Sequence, residues 1–306
     1  MPDAPFQILL YYLYTPLADP AGYLEEHREL CTSLGLRGRI LIAREGINGT
    51  VSGPEEATAA YRRALEEDSR MAGIVFKCDP ADGHAFPRLS IKLRDEVVTL
   101  GLGADDFSPR ETTGAYLSPD EWRAMMGRED VVLLDARNDY EWEAGHFAGA
   151  ILPPVRNFRE LPDWVRRHRE EFAGKKILTY CTGGIRCEKF SGFLRREGFP
   201  EVYQLEGGIV SYGKDPEVQG EGFEGKCYVF DERVAVEVNH TAGATVVSRC
   251  RHCDARTDRY VNCGWSRCNA QHFSCEACAA DGERFCNPIC REAAVVSLAA
   301  ETNEGL

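Results

Sequence analysis

The sequence lacks long apolar runs and any excess of positive charge. No window approaches the roughly 20 apolar residues that a membrane-spanning helix requires, and the longest candidate, residues 8–13, has the length of a strand. Acidic residues outnumber basic ones by 49 to 36, so the net charge of −13 argues against indiscriminate attraction to nucleic acid or membrane. Asp3 precedes the first apolar residues without a basic segment, so we expect no secretory signal and a cytoplasmic location.

The sequence also lacks the common signatures of redox cofactors. No Gly-x-Gly-x-x-Gly segment opens a helix after a strand, so nothing indicates a flavin or nicotinamide site. No evident pair of histidines with a carboxylate predicts a mononuclear iron centre. The chemistry of any active site has to be inferred from other residue types.

The order of the predicted elements divides the chain into three segments. Residues 1–102 alternate strands and helices in the order β-α-β-β-α-β, which predicts a ferredoxin-like α+β domain. After a polar stretch at 103–114, residues 115–218 alternate buried strands with helices, which predicts an α/β domain built on a parallel sheet. Residues 222–295 have short elements and most of the cysteines, so we expect a cysteine-rich third domain.

The second segment contains a candidate nucleophile. Cys181 directly follows the predicted strand at 177–180, and open α/β sheets bind their ligands at the carboxyl ends of strands. The next residues predict a tight turn with inward backbone N–H groups, followed by a helix from Arg186. Such a turn would bind an anion or a persulfide sulfur and would keep Cys181 as a thiolate at neutral pH. The predicted anion-binding loop consists of Thr182, Gly183, Gly184 and Ile185.

Cys181 and Arg186 are therefore the predicted catalytic residues, with Cys187 as a further candidate. Cys187 could resolve a persulfide or sulfenate on Cys181, or it could be an inert helix residue. The alternative for Cys181 itself is a buried structural cysteine that ends a strand. A catalytic role requires that the surrounding amides point toward the sulfur and that solvent can reach it.

Two further blocks resemble the signature of rhodanese domains. Residues 131–150 resemble the part in which a strand-end Asp-x-Arg precedes a Glu and a Gly-His-x-x-Gly-Ala turn, and residues 205–208 resemble the closing Gly-Gly turn. The matching positions of the first block are Asp135, Arg137, Glu141, Gly145, His146, Gly149 and Ala150. The resemblance implies a rhodanese-like central domain in which Asp135 and Arg137 form a salt bridge that supports the loop. His146 is expected to tie the turn together.

The length of the cysteine loop bears on the chemistry that this resemblance implies. Residues 181–186 form a six-residue loop, as in rhodaneses that handle sulfur. The related phosphatases have a loop that is one residue longer, because it has to fit phosphate. We therefore do not expect phosphoryl transfer at this site.

The whole chain is similar to one family, the bacterial rhodanese-domain tRNA uridine hydroxylases. The similarity includes residues 44–50 in the first segment, residues 180–189 in the second, and residues 230–233 before the cysteine-rich tail. It implies oxygen-dependent hydroxylation of the wobble uridine of tRNA, U34, to 5-hydroxyuridine. Molecular oxygen would be the co-substrate and the anticodon loop the partner. Cys181 matches the cysteine on which this activity depends.

Two other functions are compatible with the same loop. One is a sulfurtransferase that moves sulfane sulfur through a persulfide on Cys181. The other is an inactive rhodanese adaptor, against which the intact Cys181 and Arg186 argue, because a degenerate domain commonly loses its nucleophile. The oligomeric state does not follow from the sequence.

A basic run in the second segment is a candidate contact with RNA. It consists of Arg156, Arg159, Arg166, Arg167, His168 and Arg169, with Phe158 and Trp164 interleaved. Basic and aromatic side chains together would suit a splayed anticodon loop. The alternative is a solvated amphipathic helix with ordinary surface charge.

Cysteine is concentrated in the third segment, where eight of the 13 cysteines lie between Cys250 and Cys290. Cys250-x-x-Cys253 and Cys275-x-x-Cys278 have the spacing of metal ligands, and two tetrahedral zinc sites of four thiolates each would use all eight. In a cytoplasmic chain such a cluster is more typical of metal than of the alternative, thiols or disulfides without metal. The predicted zinc ligands are Cys250, Cys253, Cys263, Cys268, Cys275, Cys278, Cys286 and Cys290.

These zinc sites would stabilise a segment that is too short to bury a sufficient apolar core. The spacing does not decide which four cysteines share an ion. His252 and His272 are spare candidate ligands that we expect at the surface. We assign the segment a structural or RNA-docking role rather than a catalytic one.

Overall fold

A computed structural model of the chain describes residues 5–268 and 270–294. Residues 1–4 of the first predicted domain, and residues 269 and 295 of the third, lie outside these ranges. Within the described ranges, no helix is both long and apolar enough to cross a bilayer. All predicted site residues and zinc ligands fall inside them.

The first part of the chain forms a five-stranded sheet with two helices on one face. Its elements are β1 (Phe6–Tyr14), α1 (Pro20–Ser33), β2 (Arg37–Ala43), β3 (Gly46–Pro54), α2 (Glu55–Glu67), β4 (Val75–Ala81) and β5 (Leu89–Leu93). The strand order is β4-β1-β3-β2-β5, and all pairings are antiparallel except that of β5 with β2. The predicted ferredoxin-like fold is confirmed, and β5 is an additional edge strand.

The two faces of this sheet have different partners because side chains alternate along each strand. Leu9 and Tyr11 belong to the core beneath α1 and α2. Leu10 and Tyr12 lie on the opposite side, where the hydroxyl of Tyr12 donates a hydrogen bond to Glu188 of the next domain at 2.9 Å. We call this side the open face; it comprises Leu10, Tyr12, Arg39, Leu41, Asn48, Thr50, Ser90 and Lys92.

The second part of the chain forms an α/β domain. Its elements are β6 (Ala115–Leu117), α3 (Pro119–Met125), β7 (Val131–Asp135), α4 (Asp139–Trp142), β8 (Gly145–Phe147), α5 (Leu161–Arg167), β9 (Lys176–Tyr180), α6 (Ile185–Arg196), β10 (Val202–Leu205) and α7 (Gly208–Lys214). The sheet order is β6-β10-β9-β7 and every pairing is parallel, which confirms the predicted parallel sheet. Because β9 lies between β10 and β7, Cys181 follows a central strand.

Helices cover both faces of the parallel sheet. On one face, α5 and α6 contribute Leu161, Trp164 and Phe190 to the core. On the other face, α3 and α7 contribute Trp122 and Tyr212. Burial on both faces explains why the strands are nearly continuous apolar runs. The first turn of α6 is therefore held in a fixed position next to the end of β9.

The third part of the chain consists of short elements. They are β11 (Phe223–Gly225), β12 (Cys227–Tyr228), β13 (Ala235–Val236), β14 (Tyr260–Asn262), β15 (Gln271–Phe273) and α8 (Glu276–Ala280). β11 pairs with β8, which attaches this part to the α/β domain. One of its buried clusters combines Cys263, Cys286 and Cys290 with Phe285 and Ala294, so that sulfur occupies much of the interior.

The predicted surface position of His272 is wrong. His272 lies in β15 opposite Val261 of β14, and its side chain is buried. Its ring centroid is 5.6 Å from that of His252, which is half-buried. A strand of three residues is too short to show in the sequence which face of the hairpin its side chains occupy.

A fully buried lysine joins the ferredoxin-like domain to the α/β domain. The Nζ of Lys189 in α6 lies 2.9 Å from Glu45, 2.7 Å from Glu96 and 3.1 Å from Asp106, and its side chain has no exposed surface. All three carboxylates precede the α/β domain in the chain. Removing one member of a buried ion pair costs several kcal/mol, on the order of 3–5. This contact therefore holds the open face against the start of α6.

Candidate active site

Cys181 begins the loop that connects β9 to α6. Its Sγ accepts a hydrogen bond from the amide of Gly184 at 3.2 Å, and the amide of Cys187 is directed at the same sulfur. Its carbonyl oxygen accepts a hydrogen bond from the amide of Ile209, in the first turn of α7, at 3.0 Å. The loop amides therefore point toward the sulfur, which is one of the two conditions for a catalytic cysteine.

The pKa of Cys181 is lowered to about 5. Complete burial acts in the opposite direction, because it disfavours the charged form. The thiol of Cys187, the guanidinium of Arg186 and the two amides stabilise the thiolate and outweigh burial. A thiol with this pKa is ionised at neutral pH.

Two glycines allow the backbone around Cys181 to pack closely. Gly184 has a φ of 101°, and a Cβ at this position would lie 2.9 Å from the hydroxyl oxygen of Tyr12. Gly208 has a φ of 69°, and its Cβ would lie 2.6 Å from the carbonyl oxygen of Cys181. Any other residue would need an unfavourable positive φ and would displace its neighbours. The tight turn predicted after Cys181 therefore depends on Gly184, and the turn that closes the domain depends on Gly208.

Arg186 points inward and forms a buried bidentate pair with Glu141 of α4. The two guanidinium nitrogens lie 2.6 Å and 2.7 Å from the carboxylate oxygens. Arg186 also donates a hydrogen bond to the hydroxyl of Thr182 at 3.3 Å. Such paired charge-assisted bonds hold a guanidinium in one orientation. Glu141 therefore keeps the positive charge of Arg186 beside Cys181.

Cys187 is buried in the first turn of α6 and contacts Cys181. Burial raises the pKa of Cys187 well above its ordinary value, and the neighbouring Cys181 thiolate raises it further. The Cys187 thiol therefore keeps its proton and donates a hydrogen bond to the Cys181 sulfur. Its own sulfur lies 3.9 Å from the hydroxyl of Thr179.

Asp135, Arg137 and His146 hold the elements around the loop together. Asp135 and Arg137 form a salt bridge of 2.6 Å without exposed surface, and Arg137 also donates to the carbonyl oxygen of Gly145 at 2.6 Å. The Nδ1 of His146 lies 2.9 Å from the carbonyl oxygen of Trp142. These contacts connect β7, α4 and β8, which places Glu141 where it can reach Arg186.

The open face and the cysteine loop enclose a cleft of about 730 Å³. Cys181 borders this cleft but has no measurable exposed surface. Leu10 and Tyr12 cover the loop: a Cβ on Gly183 would lie 3.1 Å from Leu10, and one on Gly184 would meet Tyr12. The second condition for a catalytic cysteine, access from solvent, is therefore not met in this conformation.

Three family descriptions match successive parts of the chain. Residues 6–97 match the UPF0176 acylphosphatase like domain, residues 118–215 match the rhodanese-like domain, and residues 224–291 match the rhodanase C-terminal family. The second match contains the whole cysteine loop. The predicted rhodanese-like central domain is therefore confirmed.

The chain is also similar to curated bacterial proteins over most of its length. The tRNA uridine(34) hydroxylase of Shouchella clausii is 54% identical over 286 residues, which cover 94% of this chain and 88% of that protein. The protein of the same name from Bacillus cytotoxicus is 54% identical over 287 residues, with the same coverage. The chain belongs to the tRNA uridine(34) hydroxylase family. The family predicted from residues 44–50, 180–189 and 230–233 is thus confirmed.

In this member of the hydroxylase family, sequence reasoning missed Glu188, a buried carboxylate next to the cysteine loop. Glu188 accepts hydrogen bonds from the hydroxyls of Tyr12 at 2.9 Å and Tyr116 at 2.6 Å. Burial raises the pKa of Glu188. Its position on α6, next to Cys187, is visible in the sequence, but its two tyrosine partners come from distant parts of the chain.

Lys77 is a second residue that sequence reasoning missed. It lies in β4 of the ferredoxin-like domain, and its Nζ donates a hydrogen bond to the carbonyl oxygen of Gly183 at 2.8 Å. Burial lowers the pKa of Lys77 to about 8, although the nearby Cys181 thiolate acts in the opposite direction. No local signal in the sequence connects β4 with the cysteine loop.

The basic run does not form the combined basic and aromatic surface that the sequence predicted. Phe158 and Trp164 are buried in the core, and the ring of Trp164 also stacks on His168 with centroids 4.2 Å apart. Arg166 pairs with Glu197 at 2.8 Å. Trp164 faces the core because the amphipathic helix α5 directs its large apolar residues toward the sheet. Phe158 precedes α5, and its buried side chain also borders the cleft.

The eight cysteines between Cys250 and Cys290 form two interleaved clusters. One cluster consists of Cys250, Cys253, Cys275 and Cys278, and the other of Cys263, Cys268, Cys286 and Cys290. Within each cluster the sulfur atoms lie within 4.8 Å of one another. Each cluster combines two pairs that are separated in sequence by a pair of the other cluster. The grouping that cysteine spacing left open is thereby decided.

The distances between sulfur atoms fit metal coordination better than disulfides. Cys253 and Cys275 are 3.6 Å apart, Cys286 is 3.6 Å from Cys268, and Cys286 is 3.5 Å from Cys290. Zinc–sulfur bonds of about 2.3 Å in a tetrahedron place sulfurs about 3.8 Å apart. A disulfide would bring them to about 2.05 Å. Both clusters could therefore hold a metal ion.

Proposed function

We propose that this protein hydroxylates uridine 34 of tRNA to 5-hydroxyuridine, with molecular oxygen as co-substrate. The relatives with 54% identity are named tRNA uridine(34) hydroxylase. The main structural support for the proposal is the thiolate of Cys181, which borders a cleft between two domains. Uridine 34 lies in the single-stranded anticodon loop, where a base can be splayed out into such a cleft. We place the reaction in the cytoplasm, together with its tRNA substrate.

Cys181 is the reactive residue in this proposal. Because its sulfur is already a thiolate, it needs no separate general base to activate it. Arg186 and the loop amides stabilise the charge, and Glu141 keeps Arg186 in place. Cys187 takes the role of a hydrogen-bond donor to Cys181 rather than that of a second nucleophile.

Access to Cys181 requires a local movement in this proposal. Lys189 and its three carboxylate partners hold the two domains together, so the movement has to come from side chains. Tyr12 is the candidate, since its ring lies over the loop and its hydroxyl bonds to Glu188. Displacement of Tyr12 by the incoming base would join Cys181 to the cleft.

We also propose that each cysteine cluster binds one zinc ion. Four thiolates per cluster complete a tetrahedral site and leave no position for water or substrate, which is typical of structural zinc. The zinc ions would stabilise the short elements between β13 and α8. Neither ion takes part in the proposed hydroxylation.

The test compares wild-type protein with Cys181→Ser and Cys181→Ala on tRNA that lacks the modification. The reaction is run in air and without oxygen. The tRNA is then digested to nucleosides, and 5-hydroxyuridine is measured by mass spectrometry. We expect either substitution to reduce the rate by about a thousandfold or more, as loss of a nucleophile does in other enzymes. Cys78→Ser, at a half-buried cysteine outside the loop and the clusters, is the matched control. Full activity of Cys181→Ser would overturn the assigned role.

The same proteins distinguish hydroxylation from sulfur transfer. A persulfide on Cys181 would support transfer of sulfur from thiosulfate to cyanide, which is measured as thiocyanate. Wild-type protein that transfers sulfur rapidly and leaves tRNA unchanged in air would refute the hydroxylase proposal. Product that forms only in the presence of oxygen supports it.

A further inference from the structure

The rim of the cleft carries a group of exposed cations from the ferredoxin-like domain. These are Arg39, Arg88, Lys92 and Arg94. Among the described residues that line the cleft, the only carboxylate is that of Glu96, which is bound to Lys189. Within the described part of the chain, Arg39, Arg88 and Lys92 form no salt bridge. In a chain of net charge −13, this positive region is a local feature.

The alternation of the strands explains how these cations come to face the cleft. In the pairing of β2 with β5, Arg39 aligns with Ser90 and Leu41 with Lys92, so Arg39 and Lys92 point to the same face of the sheet. Both cations lie on the open face, while Ile40 and its neighbours face the helices. The added edge strand β5 therefore extends the open face with positive charge.

Phe230 lines the same cleft and is 44% exposed. The residues that follow it are held in place: Arg233 pairs with Asp231 at 2.7 Å and with Asp79 of β4 at 3.0 Å. The ring of Tyr228 packs edge-on against Phe230, with centroids 5.1 Å apart. A large aromatic side chain that is exposed at a fixed position has an accessible ring face, which is what stacking of a planar ligand requires.

Cations and an exposed aromatic ring at one cleft match the requirements of a single-stranded nucleic acid. Cationic side chains along a groove bind the phosphates, and aromatic rings stack on bases whatever their sequence. Splayed bases of RNA loops are commonly stacked in this way. Arg39 and Phe230 both line this cleft, although they come from different parts of the chain.

We propose that the rim, defined as Arg39, Arg88, Lys92 and Phe230, binds the anticodon-loop nucleotides that flank uridine 34. The cations contact phosphates and Phe230 stacks on a flanking base, so that the uridine is directed toward Cys181. This inference rests on the proposed function and names the surface that positions its substrate. It places the RNA on the ferredoxin-like domain and Phe230 rather than on the basic run at residues 156–169.

The first test measures binding of an anticodon stem-loop RNA with uridine at position 34. The triple variant Arg39→Ala/Arg88→Ala/Lys92→Ala is expected to weaken binding and to change its salt dependence. Each phosphate contact on a single strand contributes about 0.7 to the slope of log Kd against log salt, so three contacts predict a slope that is lower by about 2.

A matched control removes the same charge from exposed helix positions that are not among the residues lining the cleft. The variant Arg28→Ala/Arg63→Ala/Arg167→Ala alters exposed positions of α1, α2 and α5. Its Kd is expected to stay within about twofold of the wild-type value, as is usual for exposed sites away from an interface.

The second test concerns Phe230. Phe230→Ala is expected to raise Kd about tenfold through loss of base stacking, and Phe230→Tyr is expected to restore binding. Both the triple variant and Phe230→Ala should raise KM for tRNA more than they lower kcat, because the Cys181 loop is unchanged. The ultraviolet absorbance of the Cys181 thiolate shows that each variant keeps a folded site.

The outcomes separate this inference from the proposed function. If the rim triple variant binds the stem-loop as well as the control triple variant does, the inference is overturned, and hydroxylation by the wild-type protein would still support the function. If the wild-type protein binds the stem-loop through the rim and forms no 5-hydroxyuridine, the rim stands and the proposed function falls.

Discussion

Cysteine sulfur atoms are grouped in two regions of this protein, and the regions differ in what surrounds the sulfur. At the start of α6, the single thiolate of Cys181 is stabilised by two amides, a thiol and a guanidinium. In the third part of the chain, four sulfur atoms lie within 4.8 Å of one another in each cluster. Four adjacent thiolates repel one another, and a cation at their centre removes that repulsion.

This difference determines how each region should respond to substitution. Cys181 has several partners that each contribute a part of the stabilisation, so loss of one should shift its pKa and leave the loop folded. In the proposed zinc sites each cysteine cluster depends on one ion, so loss of one sulfur should remove the ion and with it the local fold. Substitutions are therefore predicted to range in effect from loss of local structure at a cysteine cluster to a change in the pKa of Cys181.

The largest effect is expected for Cys286→Ser, which removes a ligand from the second cluster. Zinc binding to such a site stabilises a small domain by on the order of 10 kcal/mol. We expect the zinc content to fall from two ions per chain to one, measured by elemental analysis. Limited proteolysis should then cut the chain after residue 250, while the ferredoxin-like and α/β domains stay intact. Cys78→Ser is the matched control. Two zinc ions in Cys286→Ser would show that the clusters do not act as single units.

An intermediate effect is expected for Arg186→Gln, which removes the guanidinium and leaves Glu141 without its partner. An opposite charge close to a thiolate typically lowers its pKa by about 1–3 units, so its loss should raise the pKa of Cys181 from about 5 by a comparable amount. The pKa is measured from thiolate absorbance against pH, with Cys181→Ser subtracted.

The direction of this change in pH dependence follows from the sign of the shift. The wild-type thiolate should be present above about pH 5 and protonate below it. In Arg186→Gln the protonated thiol should persist to higher pH, so activity at mildly acidic pH falls first. An unchanged titration would mean that the amides alone stabilise Cys181. Arg159→Gln, at an exposed position outside the loop, is the control.

The smallest effect is expected for substitutions of Cys187. Cys187→Ala removes one hydrogen-bond donor and should raise the pKa of Cys181 slightly, with a loss of activity of about tenfold or less. Cys187→Ser keeps a donor at the same place and should restore most of the activity. If Cys187 instead resolved a persulfide or sulfenate, Ser and Ala would be equally defective. The rates of the two variants in the nucleoside assay decide between these roles.

The sequence was sufficient to predict the cysteine loop because its determinants are local. Cys181 follows a buried strand, Gly184 permits the turn, and the helix from Ile185 supplies the amides, all within a few residues. The parallel sheet was predictable for a similar reason, since its strands are short apolar runs between helices. The ferredoxin-like order of the first domain followed from element order alone.

The remaining parts of the site could not be predicted because they depend on contacts between distant residues. Lys77 and Tyr12 reach the loop from the ferredoxin-like domain, more than 100 positions away in the chain. The basic run was misjudged because the sequence does not show that Phe158 and Trp164 face the core. Burial of His272 depends on the pairing of β15 with β14.

The sequence by itself determined the position of the cysteine loop, the number of clustered cysteines and the order of the domains, because each depends on residue type and short spacing. Only the tertiary structure decided which cysteines share a cluster, how Glu141 orients Arg186 and which face of the first domain borders the cleft. Those features depend on how strands pair and how domains pack. The alternation of side chains along a strand shows that its two faces differ, but it does not show which partner packs on each face. The same packing covers Cys181 with Tyr12 and surrounds the cleft with the cations of the open face.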